Sequence, residues 1–217
     1  MKTAVIAGAT GLIGNALLQR IVDSKRYTQV VVIGRRVPEL VHEKIIPIIS
    51  HDFNNLDENL SGRRIDDVFC CLGTTMAKAG SREKFYEVDY HFPVRLAQAA
   101  LGLGAKQYLI VTALGADNKS SIFYNRVKGE VEEALKGIGY STVHIFRPSL
   151  LLGERDEKRA GEDMAKKVYR FFNFLIPRKY KAIEGSRVAE AMLDAAAADR
   201  TGIFVHSSAE MQARTSV

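Results

Sequence analysis

Two residues of this 217-residue chain, Tyr124 and Lys128, have the types and the spacing of an acid–base pair. Residues four apart lie on the same face of a helix, so the phenol and the ammonium group can approach each other. A phenol, with a pKa near ~10, is a poor acid or base at neutral pH. A neighbouring ammonium group favours the phenolate and lowers that pKa, which suits carbonyl reduction. An isolated Tyr-x-x-x-Lys pattern is also common on ordinary surface helices, so other features must support this interpretation.

A glycine-rich stretch near the first residue has the pattern of a phosphate-binding turn. Gly8, Gly11 and Gly14 stand between an apolar run, 3–7, and an amphipathic run, 12–22. Such a turn brings backbone close to a pyrophosphate, and the helix that follows offers free N–H groups. The alternative is an ordinary strand-to-helix turn that is rich in glycine. The predicted cofactor-binding residues of this stretch are Gly8, Thr10, Gly11, Leu12, Ile13 and Gly14.

The glycine spacing, Gly-x-x-Gly-x-x-Gly, differs from the Gly-x-Gly-x-x-Gly dinucleotide fingerprint. It resembles the short-chain dehydrogenase/reductase superfamily, particularly its extended and atypical members, which also carry Tyr-x-x-x-Lys. The Arg-Pro-x-x-Leu-x-Gly pattern that begins at Arg147 strengthens this resemblance. The stretch from Cys71 to Ser81 narrows it to the atypical reductases related to the Tat-interacting-protein (CC-type) oxidoreductase. The resemblance spans roughly residues 3–207 and implies an NAD(P)-binding reductase fold.

Short apolar runs and amphipathic runs alternate along the chain. The apolar runs predict strands at 3–7, 29–33, 45–50, 68–72, 107–111, 142–146 and 202–206. The amphipathic runs predict helices at 12–22, 81–88, 92–101, 122–136, 163–175 and 186–198. This alternation predicts a Rossmann-type α/β fold, a doubly wound parallel sheet that binds ligands at the carboxyl ends of its strands. We expect one NAD(P)-binding domain over 1–217, in which 154–217 form most of a small helical lid on the substrate side.

The second predicted strand is followed by two arginines, Arg35 and Arg36. NAD-binding domains usually place a carboxylate there to bind the ribose 2′-hydroxyl, and a carboxylate would repel the 2′-phosphate of NADP. Two guanidinium groups do the reverse, since each can bind phosphate oxygens. The alternative is a pair of solvated surface arginines. We therefore predict that NADP(H) is preferred over NAD(H).

The resemblance assigns further residues to the cofactor at the ends of three other strands. Asp52 and Phe53 would contact the adenine, although Asp52 could equally form an Asx turn. Gly73 would let the backbone pass close to the cofactor, and Thr74 could reach its ribose or phosphates, unless this stretch is a simple turn. The remaining cofactor assignments are Leu72, Lys128, Arg147 and Pro148, of which Arg147 could instead be structural.

The chain departs from the superfamily at its third catalytic residue. That residue is a hydroxyl after the fifth strand, often part of a Ser-Ser pair, and here the pair is Thr112-Ala113. Thr112 is therefore the expected catalytic hydroxyl, and Ser120 or Ser121 could supply it unless they cap the next helix. Two functions stay open. One is an NADPH-dependent oxidoreductase acting on a small carbonyl substrate, and the other is an NADP(H)-binding regulatory or scaffolding protein with little turnover.

Composition limits the classes of protein to which the chain can belong. Its net charge of +6 suits an anionic cofactor, and the basic residues between 155 and 181 are interleaved with acidic ones, which is not typical of a nucleic-acid-binding face. A nucleic-acid partner is therefore disfavoured, and an RNA or nucleic-acid binder that uses the basic C-terminal third is the weaker, third alternative. No apolar run approaches the length of a membrane span. The five histidines are scattered, so no metal site is predicted. Cys70 and Cys71 are adjacent in a predicted strand, which indicates a reducing compartment and predicts a cytoplasmic protein. The sequence leaves open whether the protein forms a homo-oligomer.

Overall fold

The chain folds around a parallel β-sheet with helices on both faces. The computed structural model describes residues 2–152 and 180–213. The strands of these residues are β1 (Lys2–Ala7), β2 (Tyr27–Gly34), β3 (Ile45–Ile49), β4 (Asp67–Cys70), β5 (Gln107–Val111), β6 (Thr142–Arg147), β7 (Leu151–Leu152), β8 (Ile183–Glu184) and β9 (Gly202–Ser207). Their helices are α1 (Leu12–Asp23), α2 (Leu56–Leu60), α3 (Met76–Ala79), α4 (Arg82–Tyr86), α5 (Phe92–Gly102), α6 (Phe123–Gly137), α7 (Gly185–Ala197) and α8 (Ser208–Ala213), with a π-helical turn at Glu87–His91.

Seven of these strands form one sheet in the order β3-β2-β1-β4-β5-β6-β9, and all neighbouring pairs are parallel. The strands β7 and β8 pair separately in a short parallel ribbon. The chain reverses its direction across the sheet between β1 and β4, and parallel sheets of this kind bind ligands at such a switch point. The predicted doubly wound, Rossmann-type fold is confirmed.

Each face of the sheet carries its own hydrophobic core, because alternate residues of a strand point to opposite faces. Ala4 and Ile6 of β1 pack with residues of α1, α7 and α8 on one face. Val5 and Ala7 pack with residues of α2, α5 and α6 on the other face. Since both faces are covered, the central strands are mostly apolar on both faces.

The helices predicted at 81–88 and 92–101 form one continuous helical run. The π-helical turn, Glu87–His91, joins α4 directly to α5. Pro93 lies in the first turn of α5 and has no N–H to continue an α-helical ladder, so a wider turn suits the chain before it. The sequence did not predict α2 and α3, because five and four residues give no clear period.

The predicted substrate-side lid falls partly outside the described residues. The helix predicted at 163–175 lies outside them, and so do most of the basic residues between 155 and 181. The helix predicted at 186–198 is present as α7, which packs on α1. A Cβ on Gly185 would lie 2.7 Å from Cγ of Leu12, so α7 begins directly beside the start of α1. The single domain with a lid over 154–217 stays a prediction.

A charged cluster at the amino-terminal edge of the sheet joins β1 and β4 to the end of α7. The Arg26 guanidinium lies 2.5 Å from the Asp199 carboxylate, and the Lys2 ammonium lies 3.1 Å from it. Lys2 also pairs with buried Asp67, which accepts a hydrogen bond of 2.8 Å from the Tyr27 hydroxyl. Hydrogen bonds from Arg26 and then Lys2 lower the pKa of Asp199 to about 2.

Acid should lower the free energy of unfolding through this cluster, and Asp199→Asn should remove that pH dependence. A carboxyl group whose pKa is about 2 in the fold and near ~3.9 in the unfolded chain stabilises the fold above pH ~4, and loses that effect as the pH falls towards 2. The Asp199 side chain is 58% exposed, so screening limits the contribution to about 0.2–1 kcal/mol. We expect urea unfolding to give a lower free energy of unfolding for Asp199→Asn than for the unaltered protein at neutral pH. This difference should shrink in acid. Glu39→Gln, which removes another exposed carboxylate, is the control and should not show this pH dependence. A difference between Asp199→Asn and the unaltered protein that does not change with pH would contradict the prediction.

Candidate active site

The glycine turn after β1 is built so that two glycines pack against protein and one faces open space. Gly8 has a φ of 83°, and a Cβ there would lie 2.5 Å from the Cys71 carbonyl oxygen. A Cβ on Gly14 would lie 2.1 Å from the Gly8 carbonyl oxygen. A Cβ on Gly11 would lie 3.4 Å from that oxygen and would meet no other atom of the described residues within 4 Å. Gly8 and Gly14 therefore serve the packing of the turn, whereas Gly11 borders free space.

The start of α1 is well suited to an anion. The first N–H groups of a helix have no acceptor within the helix. Gly11 is the residue before α1, and within the described residues no side chain caps this helix end. The first turn of α1 holds no acidic residue that would repel a negative charge. Free N–H groups beside open space form the setting in which helices bind phosphates.

Arg35 and Arg36 follow the carboxyl end of β2, just as the glycine turn follows the carboxyl end of β1, so they lie along the same edge of the sheet. Ile33 of β2 pairs with Ala7 of β1, so the residues that follow these two strands leave the sheet side by side. Both arginines are exposed, and neither forms an ion pair with any residue in the described part of the chain. Their guanidinium groups are therefore available to a phosphate at this edge.

Asp52 and Phe53 follow β3 and have partners within the protein. The Asp52 carboxylate accepts hydrogen bonds from the backbone and the side chain of Asn54, at 3.1 and 2.8 Å, which is the Asx turn that the sequence allowed. The Phe53 ring is buried and stacks on Phe92 with a centroid distance of 4.8 Å. Its backbone has a φ of 57°, which is unusual for a bulky residue. Contact of Phe53 with an adenine through its ring would require the ring to leave this core.

A buried ion pair lies behind the loop that follows β4. The Lys128 ammonium is 2.7 Å from Oδ1 of Asp89, and the two side chains are 6% and 0% exposed. Oδ2 of Asp89 accepts a hydrogen bond of 2.9 Å from the Thr74 backbone N–H. A Cβ on Gly73 would lie 3.6 Å from Asp89 Oδ1 and 3.7 Å from Lys128 Nζ, so Gly73 lies directly against the pair.

Tyr124 and Lys128 lie one turn apart on α6, as the sequence predicted. The half-buried Tyr124 ring contacts the Phe85 ring with a centroid distance of 5.6 Å. Burial of Lys128 acts to lower its pKa, but the opposing effects of Asp89 and then Tyr124 outweigh it, so the pKa of Lys128 is raised and the ammonium is charged. The phenol and the ammonium group are thus coupled electrostatically.

Thr112 and Arg147 both bind Glu132, a buried residue of α6. The Thr112 hydroxyl donates to Oε1 of Glu132 at 2.6 Å. The Arg147 guanidinium donates to both carboxylate oxygens, through Nε at 3.0 Å and through Nη2. A threonine hydroxyl has one proton, so Thr112 cannot donate to a substrate while it donates to Glu132. The structure gives Thr112 and Arg147 a role in joining β5, α6 and β6, and their catalytic and cofactor roles stay predictions.

The other candidate site residues that follow β5 and β6 lie in environments that point to structural roles. Ser120 Oγ accepts a hydrogen bond of 3.2 Å from the Ile122 N–H just before α6, but the cap position of α6 is Ile122, so neither Ser120 nor Ser121 caps this helix. Ser121 is exposed, and Ala113 has no hydroxyl to offer. Pro148 is buried, and its carbonyl oxygen accepts a hydrogen bond of 3.0 Å from the Leu114 N–H.

Asp89 and Glu132 are the two site residues that the sequence analysis missed. Both are carboxylates among buried residues of their helices: Asp89 lies one turn from Phe85 and from Phe92, and Glu132 lies one turn from Leu135 and from Lys128. A buried carboxylate needs a partner, so an acidic residue at an apolar position of a helix is a signal that could have found them. Within the described residues, no group of three or more potential metal ligands occurs, and no helix is long and apolar enough to cross a membrane.

The comparisons agree with this fold and these motifs. The profile of the NAD dependent epimerase/dehydratase family matches residues 4–207, so the chain belongs to that family. The chain is similar to rat HTATIP2, with 37% identity over 171 residues that cover 77% of this chain and 70% of that protein. It is also similar to fmp52 of Emericella nidulans, with 32% identity over 209 residues that cover 94% of this chain and 88% of that protein. The resemblance to extended reductases related to the Tat-interacting protein is confirmed.

Solved structures support the fold. The enzyme WbmH of Bordetella bronchiseptica, in complex with NAD+, superposes with a TM-score of 0.74 and 15% identity, over 96% of this chain and 76% of that one. The protein MoeE5, in complex with UDP-glucose and NAD, superposes with a TM-score of 0.70 and 17% identity, over 94% of this chain and 74% of that one. The family depends on NAD(P), and these comparisons do not distinguish NADP from NAD for this chain.

The predicted cytoplasmic location is wrong by this comparison. The similar fmp52 proteins of Emericella nidulans and of two Aspergillus species are named mitochondrial proteins. The prediction rested on Cys70 and Cys71, which are free in the structure. Free cysteines separate reducing from oxidising compartments but do not distinguish one reducing compartment from another.

Proposed function

We propose that this chain is an NADPH-dependent oxidoreductase that reduces a small carbonyl substrate with Tyr124 as the proton donor. The observation that carries the proposal is the placement of Tyr124 and buried Lys128 on α6, at the sheet edge that also holds the glycine turn. The family supports an NAD(P)-dependent oxidoreductase, and the acid–base pair supports the type of reaction.

The residues of this edge fit a dinucleotide. The free N–H groups at the start of α1 would hold its pyrophosphate, with Gly11 leaving room for it. Arg35 and Arg36 would hold the 2′-phosphate. Gly73 and Thr74 would lie along the ribose that is next to Lys128. An ammonium group has three donors, so Lys128 could donate to ribose hydroxyls while it also pairs with Asp89.

The protein's own part in the reaction is the transfer of one proton. Bound NADPH supplies the hydride. Tyr124 donates its proton to the carbonyl oxygen, so that the substrate leaves as an alcohol, and Tyr124 then takes a proton from water. Lys128 favours the phenolate that forms, and Asp89, 2.7 Å from the ammonium, opposes that effect.

NADP(H) should bind at least about tenfold tighter than NAD(H), because each guanidinium can form charge-assisted hydrogen bonds to the 2′-phosphate. Arg36→Ala should remove most of this preference, and Arg35→Ala should have a similar or smaller effect. Isothermal titration with both cofactors measures the ratio. Arg64→Ala removes an exposed arginine at the opposite edge of the sheet and should leave the ratio unchanged. Equal affinities for the two cofactors in the unaltered protein would contradict the proposal.

One observation favours a second function, that of an NADP(H)-binding regulatory or scaffolding protein. The proton of Thr112 is donated to Glu132, and the neighbouring position is Ala113, so neither residue offers a donor to a substrate carbonyl. In that case NADPH would bind through the same residues, but no carbonyl compound would be reduced. Binding and turnover measured in the same sample separate the two functions.

A further inference from the structure

Two arginine side chains lie over one aromatic ring at the start of α6. The guanidinium carbon of Arg82, on α4, is 5.2 Å from the centroid of the Phe123 ring, and that of Arg126 is 5.7 Å from it. The negative face of a ring attracts a cation, so Phe123 can hold both groups although their charges repel each other. We call these two residues the arginine pair.

Only one member of the arginine pair has a carboxylate partner within the described residues. The Arg126 guanidinium lies 3.8 Å from a carboxylate oxygen of Glu130 and donates a hydrogen bond of 3.1 Å to the Ser120 carbonyl oxygen. Arg82 is exposed, and it forms no ion pair or hydrogen bond in the part of the chain that the structure describes. The pair therefore carries one uncompensated positive charge there.

The residues around Arg82 on α4 do not neutralise it. Side chains one turn away on a helix are the ones that can pair, and here they are Lys78, Phe85 and Tyr86. The adjacent Glu83 forms hydrogen bonds with its own backbone N–H and with the cap residue of α4, which lower its pKa. Its carboxylate is thus engaged at the start of the helix.

The arginine pair adjoins the proposed proton donor. Phe123 precedes Tyr124 in the chain, and both rings contact the Phe85 ring with centroid distances of 5.6 Å. Phe85 lies one turn after Arg82 on α4, and the chain reaches α4 from the Gly73 loop through the short helix α3. A substrate whose carbonyl group meets the Tyr124 hydroxyl therefore has the arginine pair two ring contacts away.

We propose that the arginine pair binds a carboxylate of the substrate, so that the substrate is an aldehyde or ketone with a carboxylate several bonds from its carbonyl group. A guanidinium group is planar, and two of its N–H donors match the two oxygens of a carboxylate. One uncompensated charge suits a monoanion. Two ring contacts separate the pair from Tyr124, so a carboxylate on the carbonyl carbon itself would not span both. The inference rests on the proposed function, because it assigns the substrate class of the same site.

The test measures the binding of alcohols that such a reduction would produce, which requires no turnover. The probes are 4-(hydroxymethyl)benzoate and 6-hydroxyhexanoate, each compared with its neutral methyl ester. Each probe is titrated into the protein and followed by NMR, with and without saturating NADPH, which cannot reduce an alcohol. In at least one of the two pairs, the acid should bind about tenfold tighter than the ester, because it gains charge-assisted hydrogen bonds.

Substitutions on α4 and α6 assign this preference to the arginine pair. Arg82→Gln should remove most of it, and Arg126→Gln should reduce it less, because Glu130 already lies beside that guanidinium. Arg82→Lys keeps the charge without the planar fork and should retain part of the preference. Lys84→Gln is the matched control, since it removes an exposed positive charge from the same helix, and it should leave the acid-to-ester ratio unchanged.

Equal affinities for acid and ester in both pairs would overturn the inference. So would a preference that Arg82→Gln leaves intact, or one that Lys84→Gln removes to the same extent. Circular dichroism confirms that each variant is folded.

The outcome separates this inference from the proposed function. Tyr124→Phe should keep the preference for the acid, because its ring retains the contact with Phe85. Where the corresponding aldehydes are reduced, Arg82→Gln should raise KM for the carboxylate-bearing aldehyde and leave KM for its ester unchanged. Reduction of both with equal kcat/KM would overturn the inference and leave the proposed function standing. A preference for the acid without reduction of any aldehyde would contradict the proposed function and leave the carboxylate site in place.

Discussion

Gly11→Val should abolish NADPH binding and leave the protein folded. Among residues 2–152 and 180–213, a Cβ on Gly11 has one contact, at 3.4 Å, so this part of the fold can accept a side chain there. The side chain would instead fill the space at the start of α1 where a pyrophosphate would bind. Each lost hydrogen bond to a charged group costs about 1.5–3 kcal/mol, so the loss of two weakens binding by on the order of 100-fold or more. Fluorescence titration with NADPH measures the affinity, and circular dichroism measures the fold.

Two other glycines make this prediction specific. Gly137→Val is the control for a new valine at an open position, since a Cβ there meets no atom of the described chain within 4 Å, and it should leave NADPH affinity unchanged. Gly14→Val should destabilise the fold itself, because its Cβ would lie 2.1 Å from a backbone oxygen. Undiminished NADPH affinity in folded Gly11→Val would show that the cofactor does not lie at this turn.

Tyr124→Phe should remove most turnover and leave NADPH affinity intact. The substitution keeps the ring and its contact with Phe85, so the start of α6 keeps its packing. It removes only the hydroxyl that would donate the proton, and loss of a positioned acid lowers turnover by about 10²–10⁴-fold. The measurement is NADPH oxidation with a panel of aldehydes, ketones and quinones, with NADPH affinity determined on the same sample.

Tyr86→Phe is the matched control for Tyr124→Phe. Tyr86 lies on the neighbouring helix α4, where burial and then Glu130 raise the pKa of its hydroxyl to about 12, and it has no contact with Lys128 in the described part of the chain. This variant should turn over substrate at the rate of the unaltered protein. A rate for Tyr124→Phe equal to that of Tyr86→Phe would exclude Tyr124 as the proton donor.

The sequence predicted those parts of the molecule that depend on local patterns. The strands are apolar because they are buried on both faces, so their positions and the doubly wound fold follow from short runs such as residues 107–111. Part of the glycine turn is also local, since a Cβ on Gly14 would meet the Gly8 carbonyl oxygen within the turn itself. Tyr124 and Lys128 share a face because helix geometry fixes residues four apart.

The sequence did not predict the contacts that decide how those residues act. Asp89 meets Lys128 only because the π-helical turn brings it towards α6, and no local pattern specifies a partner that distant in the chain. Thr112 was a candidate by its position after β5, but its proton goes to Glu132, a residue of another element. The Phe53 ring likewise belongs to the core through Phe92. Burial and partners of polar groups depend on tertiary packing, which spacing alone does not reveal.

The transfer of a label from the cofactor tests the proposed function most directly. The unaltered protein is incubated with NADPH that carries deuterium at both C4 positions of the nicotinamide, together with the panel of carbonyl compounds, and the alcohol products are examined by mass spectrometry. We predict one deuterium on the carbinol carbon of a product with the unaltered protein, and a loss of most of that label with Tyr124→Phe. Tight NADPH binding with no labelled alcohol from any compound of the panel would contradict the oxidoreductase function and support the regulatory one.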